Sequence, residues 1–167
     1  TEGTGTFLGG AGTEPSVGQP GREERVAELR LETVYPAERE AALADARVHA
    51  RDIGMIVAHG NRTVQSDATE AAALRHVFGD QCPPVTAFKW ALGHLIAAAG
   101  ILETTLALAA IRRQTVPGIA TLDSVAPECA GVPLSRTVQR PRSDIALIVC
   151  RGFAGTDAAL VVRTASA

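Results

Sequence analysis

KWALGHLIAAAG, residues 89–100, is the stretch on which the fold turns. Lys89 and His94 stand on either side of Gly93 and lead into a run that stays apolar to Ile111. From Ala91 to Ile111 the run has about the length that spans a bilayer. His94 and Glu103 lie inside it, however, and Lys89 and Arg112–Arg113 flank it. A helix apolar around its whole circumference is also what a buried central helix looks like. The run is therefore read as one long buried helix, His94–Arg113, ended by Pro117–Gly118 and preceded by a loop, Lys89–Gly93.

Upstream, IGMIVA (Ile53–Ala58) is a short, fully apolar strand of the kind found in sheets covered on both faces. Before it, Pro36 stands where a helix would start, and Ala37–Ala50 reads as a helix with a polar face. After it, His59–Thr63 is a polar loop. Asp67 is expected to cap a helix running to about Phe78. Glu70 stands three residues on, in a capping-box position, and Gly79 is the stop. Pro83–Pro84 precede a strand at Val85–Phe88. Downstream come a loop-rich stretch from Thr121 to Pro133 and an edge strand at Leu134–Val138. Strands at Ile145–Val149 and Ala158–Val162 follow, joined by the turn Arg151–Asp157. Residues 3–9 read as a strand leaving a glycine-rich turn, residues 10–21 as loop, and Val26–Val34 as an imperfectly alternating strand. Strands alternating with helices indicate a layered α/β architecture. The buried helix would be the middle layer of an α/β/α/β/α sandwich.

With 167 residues, 46 % apolar and 20 % charged, the chain can build one domain with a real core. Its formal net charge of −2 includes no basic field, which removes the case for nucleic acid. Cys82, Cys129 and Cys150 are widely spaced and form no CxxC pattern. They read as free thiols in a reducing cytoplasm, with no metal site. No GxSxG or HExxH spacing supports a hydrolase or metalloenzyme. No signal peptide opens the chain, which starts at Thr1 instead of Met. An upstream segment is expected to have been removed or to lie outside these residues.

Three side chains stand where chemistry could be done. His59 follows the buried strand directly and opens a turn with Gly60, and strand ends are where α/β sheets place reactive groups; alone, a histidine there is more often structural or merely exposed. His94 opens the apolar run. At a helix N-terminus the dipole disfavours imidazolium, so a neutral ring could donate a hydrogen bond to a developing oxyanion; a plain N-terminal cap is the alternative. Lys89, at a strand end among apolar residues, needs a carboxylate partner if buried. Glu70 and Asp67 are the nearest candidates along the chain.

The order AHGNRT (58–63), SDATE (66–70), KWALGHLIAAAG (89–100) and RGFAGTDAALV (151–161), opened by TEGTGTFLG (1–9), resembles the C-terminal half of β-ketoacyl-acyl-carrier-protein synthases. Each motif alone is weak; five in order and spacing are specific. The resemblance covers nearly the whole chain, with residues 10–36 matching poorly. It implies a thiolase-like fold of two facing halves working as a dimer. Residues 1–167 would be the C-terminal half, and the half bearing the nucleophilic cysteine would be missing. It also implies decarboxylative condensation of malonyl-carrier protein with an acyl thioester, in fatty-acid or polyketide synthesis. By motif position, His59 and His94 bind the malonyl thioester carbonyl, and Lys89 and Glu70 are the charged pair holding the site together. Thr63, with Asn61, contacts the phosphopantetheine arm, and Phe153 gates the acyl pocket. No resident cofactor is implied, because phosphopantetheine arrives on the acyl carrier protein.

Several positions depart from the family pattern. The usual H-G-T-G-T is His59-Gly60-Asn61-Arg62-Thr63, with Arg62 where glycine is normal. Arg151 replaces the aromatic expected before Gly152, Ala154 replaces a glycine, and Asp157 stands where asparagine is usual. These changes bear on acyl specificity and gating more than on the histidine pair. The small residues Ala97, Ala98, Ala99 and Gly100 match the buried helix between the halves. The alternative assignment is a non-catalytic partner subunit of the chain-length-factor type. Retention of both histidines and Lys89 speaks against it, and Asn61, Arg62 and Arg151 mildly for it. The expectation is a cytoplasmic parent enzyme, with this chain inactive by itself and no membrane or nucleic-acid partner.

Overall fold

The computed structural model describes residues 35–152 and 156–164; the expected strands at residues 3–9 and 26–34 and the loop at 10–21 lie outside them. Four strands form one mixed sheet in the order β2-β1-β3-β4. They are β1 (Met55–Val57), β2 (Val85–Thr86), β3 (Ile145–Arg151) and β4 (Asp157–Arg163). β1 runs parallel to both neighbours, with Ile56 opposite Val85 and Leu147. β3 and β4 form an antiparallel hairpin from Ile145–Arg163 to Arg151–Asp157. The helices are α1 (Tyr35–Asp45), α2 (Val64–Phe78), the single turn α3 (Lys89–Leu92) and α4 (Ala99–Arg112).

The alternation of side chains along a strand explains the layering. On β3, Ile145, Leu147 and Val149 join a cluster with Leu43 of α1 and Ala71, Leu74 and Phe78 of α2. Ala146 and Ile148 join a second cluster with Ala107, Ala110 and Ile111 of α4. Met55 and Val57 point to α4, Ile56 to α2, and all three are fully buried. Two helices therefore cover one face of the sheet and α4 covers the other. That is the layered α/β arrangement expected, with α4 where the middle layer of a larger sandwich would lie.

Several local expectations fail for identifiable reasons. α1 stops at Asp45 because Arg47 turns to a positive φ of 55°. α2 starts at Val64, with Thr63 as its N-cap residue, so Asp67 sits inside the first turn and no capping box forms. Lys89–Gly93 is a helical turn ended by Gly93 at φ 73°. The long helix does not run from His94: Ile96 has a φ of 50°, the chain passes through a 3-10 turn at Ile96–Ala98, and α4 begins at Ala99. Only one stripe of α4 is buried, namely Ala99, Glu103, Ala107, Ala110 and Ile111. Leu92, Leu95, Ile96 and Ile101 are exposed, as are Ala97 and Ala98. Leu134 and Gln139 make single bridges to Val85 and Val116 instead of a strand across Leu134–Val138. Among the described residues no helix is long and apolar enough to cross a membrane.

Leu147 is fully buried at the centre of β3. Leu147→Ala is expected to lower unfolding stability by about 2–5 kcal/mol, the transfer and cavity cost of such a truncation; chemical denaturation followed by circular dichroism measures it.

Candidate active site

The site is built at the C-terminal end of β1, where the chain turns. The carboxylate of Glu70 on α2 accepts hydrogen bonds from the backbone N–H of His59 (2.8 Å) and Gly60 (3.0 Å). Arg39 on α1, 1 % exposed, lies 3.6 Å from the same carboxylate. Gly60 has a φ of 47°, and a Cβ there would lie 2.7 Å from the Ala87 methyl, so the tight turn requires glycine. Two residues on, Arg62 takes a φ of 67°, a left-handed conformation that glycine adopts freely and a residue with a long side chain adopts only at a cost.

His59 is 2 % exposed. Its Nδ1 accepts a hydrogen bond from the Arg151 backbone N–H at 3.1 Å. Burial lowers its pKa to about 4, and the positive charge of Lys89, with that of His94 whenever its ring is protonated, pushes the same way. His59 is thus a neutral imidazole whose remaining hydrogen sits on Nε2. His94 is placed differently. It precedes α4 by five residues, so the helix-dipole argument for it lacks its geometry. Its Nδ1 accepts the Ile96 backbone N–H at 3.1 Å, and that local bond accompanies the positive φ of Ile96 that keeps α4 from starting earlier. In its neutral form His94 too is left with Nε2 as its N–H donor. The two rings meet edge to face, 5.2 Å between centroids, although they stand 35 positions apart in sequence (94 minus 59). Both line a cleft of about 620 Å³ with Asn61, Ser66, Cys150, Arg151 and Asp157.

Lys89 is buried as expected, but its partner is neither Glu70 nor Asp67. Its Nζ lies 2.5 Å from Oε1 of Glu103 on α4, with the two side chains 4 % and 3 % exposed. The signal for Glu103 was available: an acid inside an otherwise apolar run is exceptional unless paired. Chain proximity pointed instead to α2, whose Glu70 is occupied by the His59–Gly60 turn.

The other expected positions divide. Asn61 lines the histidine cleft, and its Oδ1 accepts both the N–H (3.1 Å) and the hydroxyl (2.9 Å) of Thr63. Thr63 is exposed and lines neither this cleft nor the neighbouring cavity of about 400 Å³. That second cavity takes the alternate residues of the same turn, Ala58, Gly60 and Arg62, together with Asp67 and Trp90. Phe153 lies outside the described residues. Cys150 lines the histidine cleft, but burial pushes its thiol pKa up, opposite to what an activated nucleophile needs. The Cys82 thiol is buried and pushed up to about 11. Among the described residues no group of three or more His, Cys, Asp or Glu could hold a metal ion.

Residues 26–123 match the family described as β-ketoacyl synthase, C-terminal domain, and the chain belongs to that family. It is 38 % identical over 125 residues to the tetracenomycin polyketide synthase ketoacyl synthase beta subunit of Streptomyces glaucescens, covering 73 % of this chain and 30 % of that protein. To the alpha subunit from the same organism it is 34 % identical over 124 residues, covering 73 % and 29 %. Among solved structures, it resembles a chain from a type II polyketide synthase acyl-carrier protein in complex with its ketosynthase. The TM-score is 0.74 at 26 % identity, covering 78 % of this chain and 33 % of that one. The fold is accordingly that of the thiolase-like ketosynthases. The chain spans about 30 % of the length of these curated relatives.

Two outcomes follow from this geometry. Lys89→Ala leaves the Glu103 carboxylate buried without its partner and is expected to cost about 3–5 kcal/mol of stability. The double change Lys89→Met with Glu103→Leu recovers most of it, as denaturation of the single and double variants will show. His59 titrates near 4 when folded and near 6.5 when unfolded, so between these values the unfolded state binds more protons. Its contribution therefore falls as pH drops from 6.5 toward 4. Asn at position 59 should flatten that part of the stability–pH curve relative to the unsubstituted chain, a difference that cancels the opposite slope of buried acids such as Asp157.

Proposed function

We propose that this chain is the malonyl-activating half of a condensing enzyme that makes carbon–carbon bonds by decarboxylative Claisen condensation. The observation that carries it is the histidine pair. Each Nδ1 is occupied by a backbone N–H, so two Nε2–H donors remain on rings that share one cleft. Two preorganised donors suit one developing oxyanion. In this role His59 and His94 hold the thioester carbonyl of malonyl-carrier protein. The bond to the carboxylate breaks, CO2 leaves, and the electron pair is held as an enolate whose oxygen takes both hydrogen bonds. The enolate carbon then attacks an acyl thioester, and the cysteine thiolate that carried the acyl group departs.

That cysteine belongs to a nucleophile-bearing half outside these residues. The raised thiol pKa values of Cys82 and Cys150 support this placement. Lys89, paired with Glu103, acts as a support whose charge favours neutral His59. Asn61 and Thr63, joined through the Asn61 side chain, flank the entering phosphopantetheine arm, and Phe153 gates the acyl pocket. No resident cofactor takes part; the arm comes on an acyl carrier protein, a partnership that the solved complex of a similar ketosynthase supports. The assembled enzyme is a cytoplasmic dimer serving polyketide or fatty-acid synthesis. A chain-length-factor-type partner subunit is the second reading, favoured by the likeness to a chain of a solved ketosynthase/chain length factor structure. The residue at the nucleophile position separates them: cysteine in a synthase, another residue in a partner.

The test measures CO2 release from malonyl-carrier protein by this chain joined to a nucleophile-bearing half. His94→Ala, a change at an exposed side chain, should slow release about 10²–10³-fold, the usual effect of removing an oxyanion donor. An unchanged rate would remove His94 from the mechanism. The chain alone should form no 3-oxoacyl product.

A further inference from the structure

Arg151 and Asp157 are the last facing residues of the β3–β4 hairpin. A hairpin rung is closed by backbone hydrogen bonds and needs no charge. Here the rung carries an ion pair, Nε to Oδ1 at 3.6 Å, with the two side chains only 18 % and 4 % exposed. The Arg151 guanidinium also donates from Nη1 to the Ser66 hydroxyl (2.9 Å) and the Ser66 carbonyl (3.2 Å) in the first turn of α2. One turn further along, Glu70 grips the His59 main chain. His59 is thus held from two elements: its backbone by Glu70 on α2, its ring nitrogen by the Arg151 N–H on β3. The guanidinium ties those two elements together.

We propose that the partly buried Arg151–Asp157 pair positions the His59 imidazole, fixing the Arg151 N–H against Nδ1 and so keeping the hydrogen on Nε2. The pair is largely shielded from water, so breaking it removes the contact that closes the end of the hairpin and loosens the rung. The Nδ1 bond is then lost and water reaches the ring. Both residues stand at positions where the sequence departs from the family pattern, and the two departures meet each other in space. The inference rests on the proposed function only for what His59 does, not for how it is held.

The experiment is nitrogen-15 NMR of the histidines in the full chain across pH 3–8. The charged and titratable groups facing His59 are Glu70 from α2, Lys89 from α3, His94 from the segment before α4, and Arg151 and Cys150 from β3. Asp157→Asn and Ser66→Ala leave all of these in place, whereas the Arg151 variants change one of them. Asp157→Asn should raise the His59 midpoint from about 4 toward 6.5 by about one unit, tenfold in proton affinity, and populate the Nδ1–H tautomer. Arg151→Met should do the same, and Arg151→Lys should retain the original titration. Ser66→Ala removes one guanidinium anchor without exposing a buried charge, so it should shift the midpoint in the same direction by less. An unchanged His59 midpoint and tautomer in Asp157→Asn, or in Ser66→Ala should the former not fold, overturns the proposal. With the chain joined to a nucleophile-bearing half, Asp157→Asn should lower kcat for CO2 release about tenfold with little change in KM. Absence of CO2 release from the unsubstituted protein would count against the proposed function, while the NMR shift would still establish the positioning.

Discussion

A carboxylate buried at the end of a strand needs every one of its hydrogen bonds, and Glu70 has them. It accepts from the backbone nitrogens of His59 and Gly60, where β1 has run out of strand partners, and Arg39 stands beside it. Without Glu70 those two N–H groups would be orphaned in the interior, at a cost of about 1–3 kcal/mol each. Without the turn, Glu70 would be a buried charge facing Arg39 alone. The two needs satisfy each other, so the strand end cannot fray and His59 cannot swing. The cleft, the histidine pair and the division of alternate residues between two cavities all follow from this junction.

The second histidine reaches the same cleft by a different route. Lys89 and Glu103 bind α3 to α4 beneath the segment that carries His94, and Gly93 and Ile96, both at positive φ, shape it. A β-branched residue at positive φ costs of the order of 1–3 kcal/mol and persists only where its surroundings over-determine it. Here the local bond from the Ile96 N–H to His94 Nδ1 is part of that determination. One histidine is immobilised by burial; the other is exposed and held by backbone strain and one hydrogen bond.

The layered plan was legible wherever side-chain pattern alone decides structure. IGMIVA is apolar at every position because β1 has helices on both faces, and Ile145–Val149 alternates between the same two faces. The histidines and Lys89 were legible as site residues because charged or polar groups beside buried strands are exceptional. What failed shares one cause. The helix expected from His94, the cap expected at Asp67 and the Glu70 partner expected for Lys89 were all assigned from neighbours along the chain. Each was decided by a partner in space or by a backbone turn that periodicity does not encode. Arg39 and Ser66 were passed over, and Asp157 was singled out without its partner, for the same reason: nothing local distinguishes a buried arginine on α1 from the solvated arginines around it.

By itself the sequence determined the family, the α/β layering and the identity of the two imidazoles, because these rest on residue type, order and spacing. Only the tertiary structure decided which nitrogen of each ring is free to donate, since that depends on which backbone N–H lies 3.1 Å from the other. It also decided that Lys89 answers to Glu103 and that Arg151 answers to Asp157. An ion pair is a matter of distance and burial, and neither is a property of position along the chain.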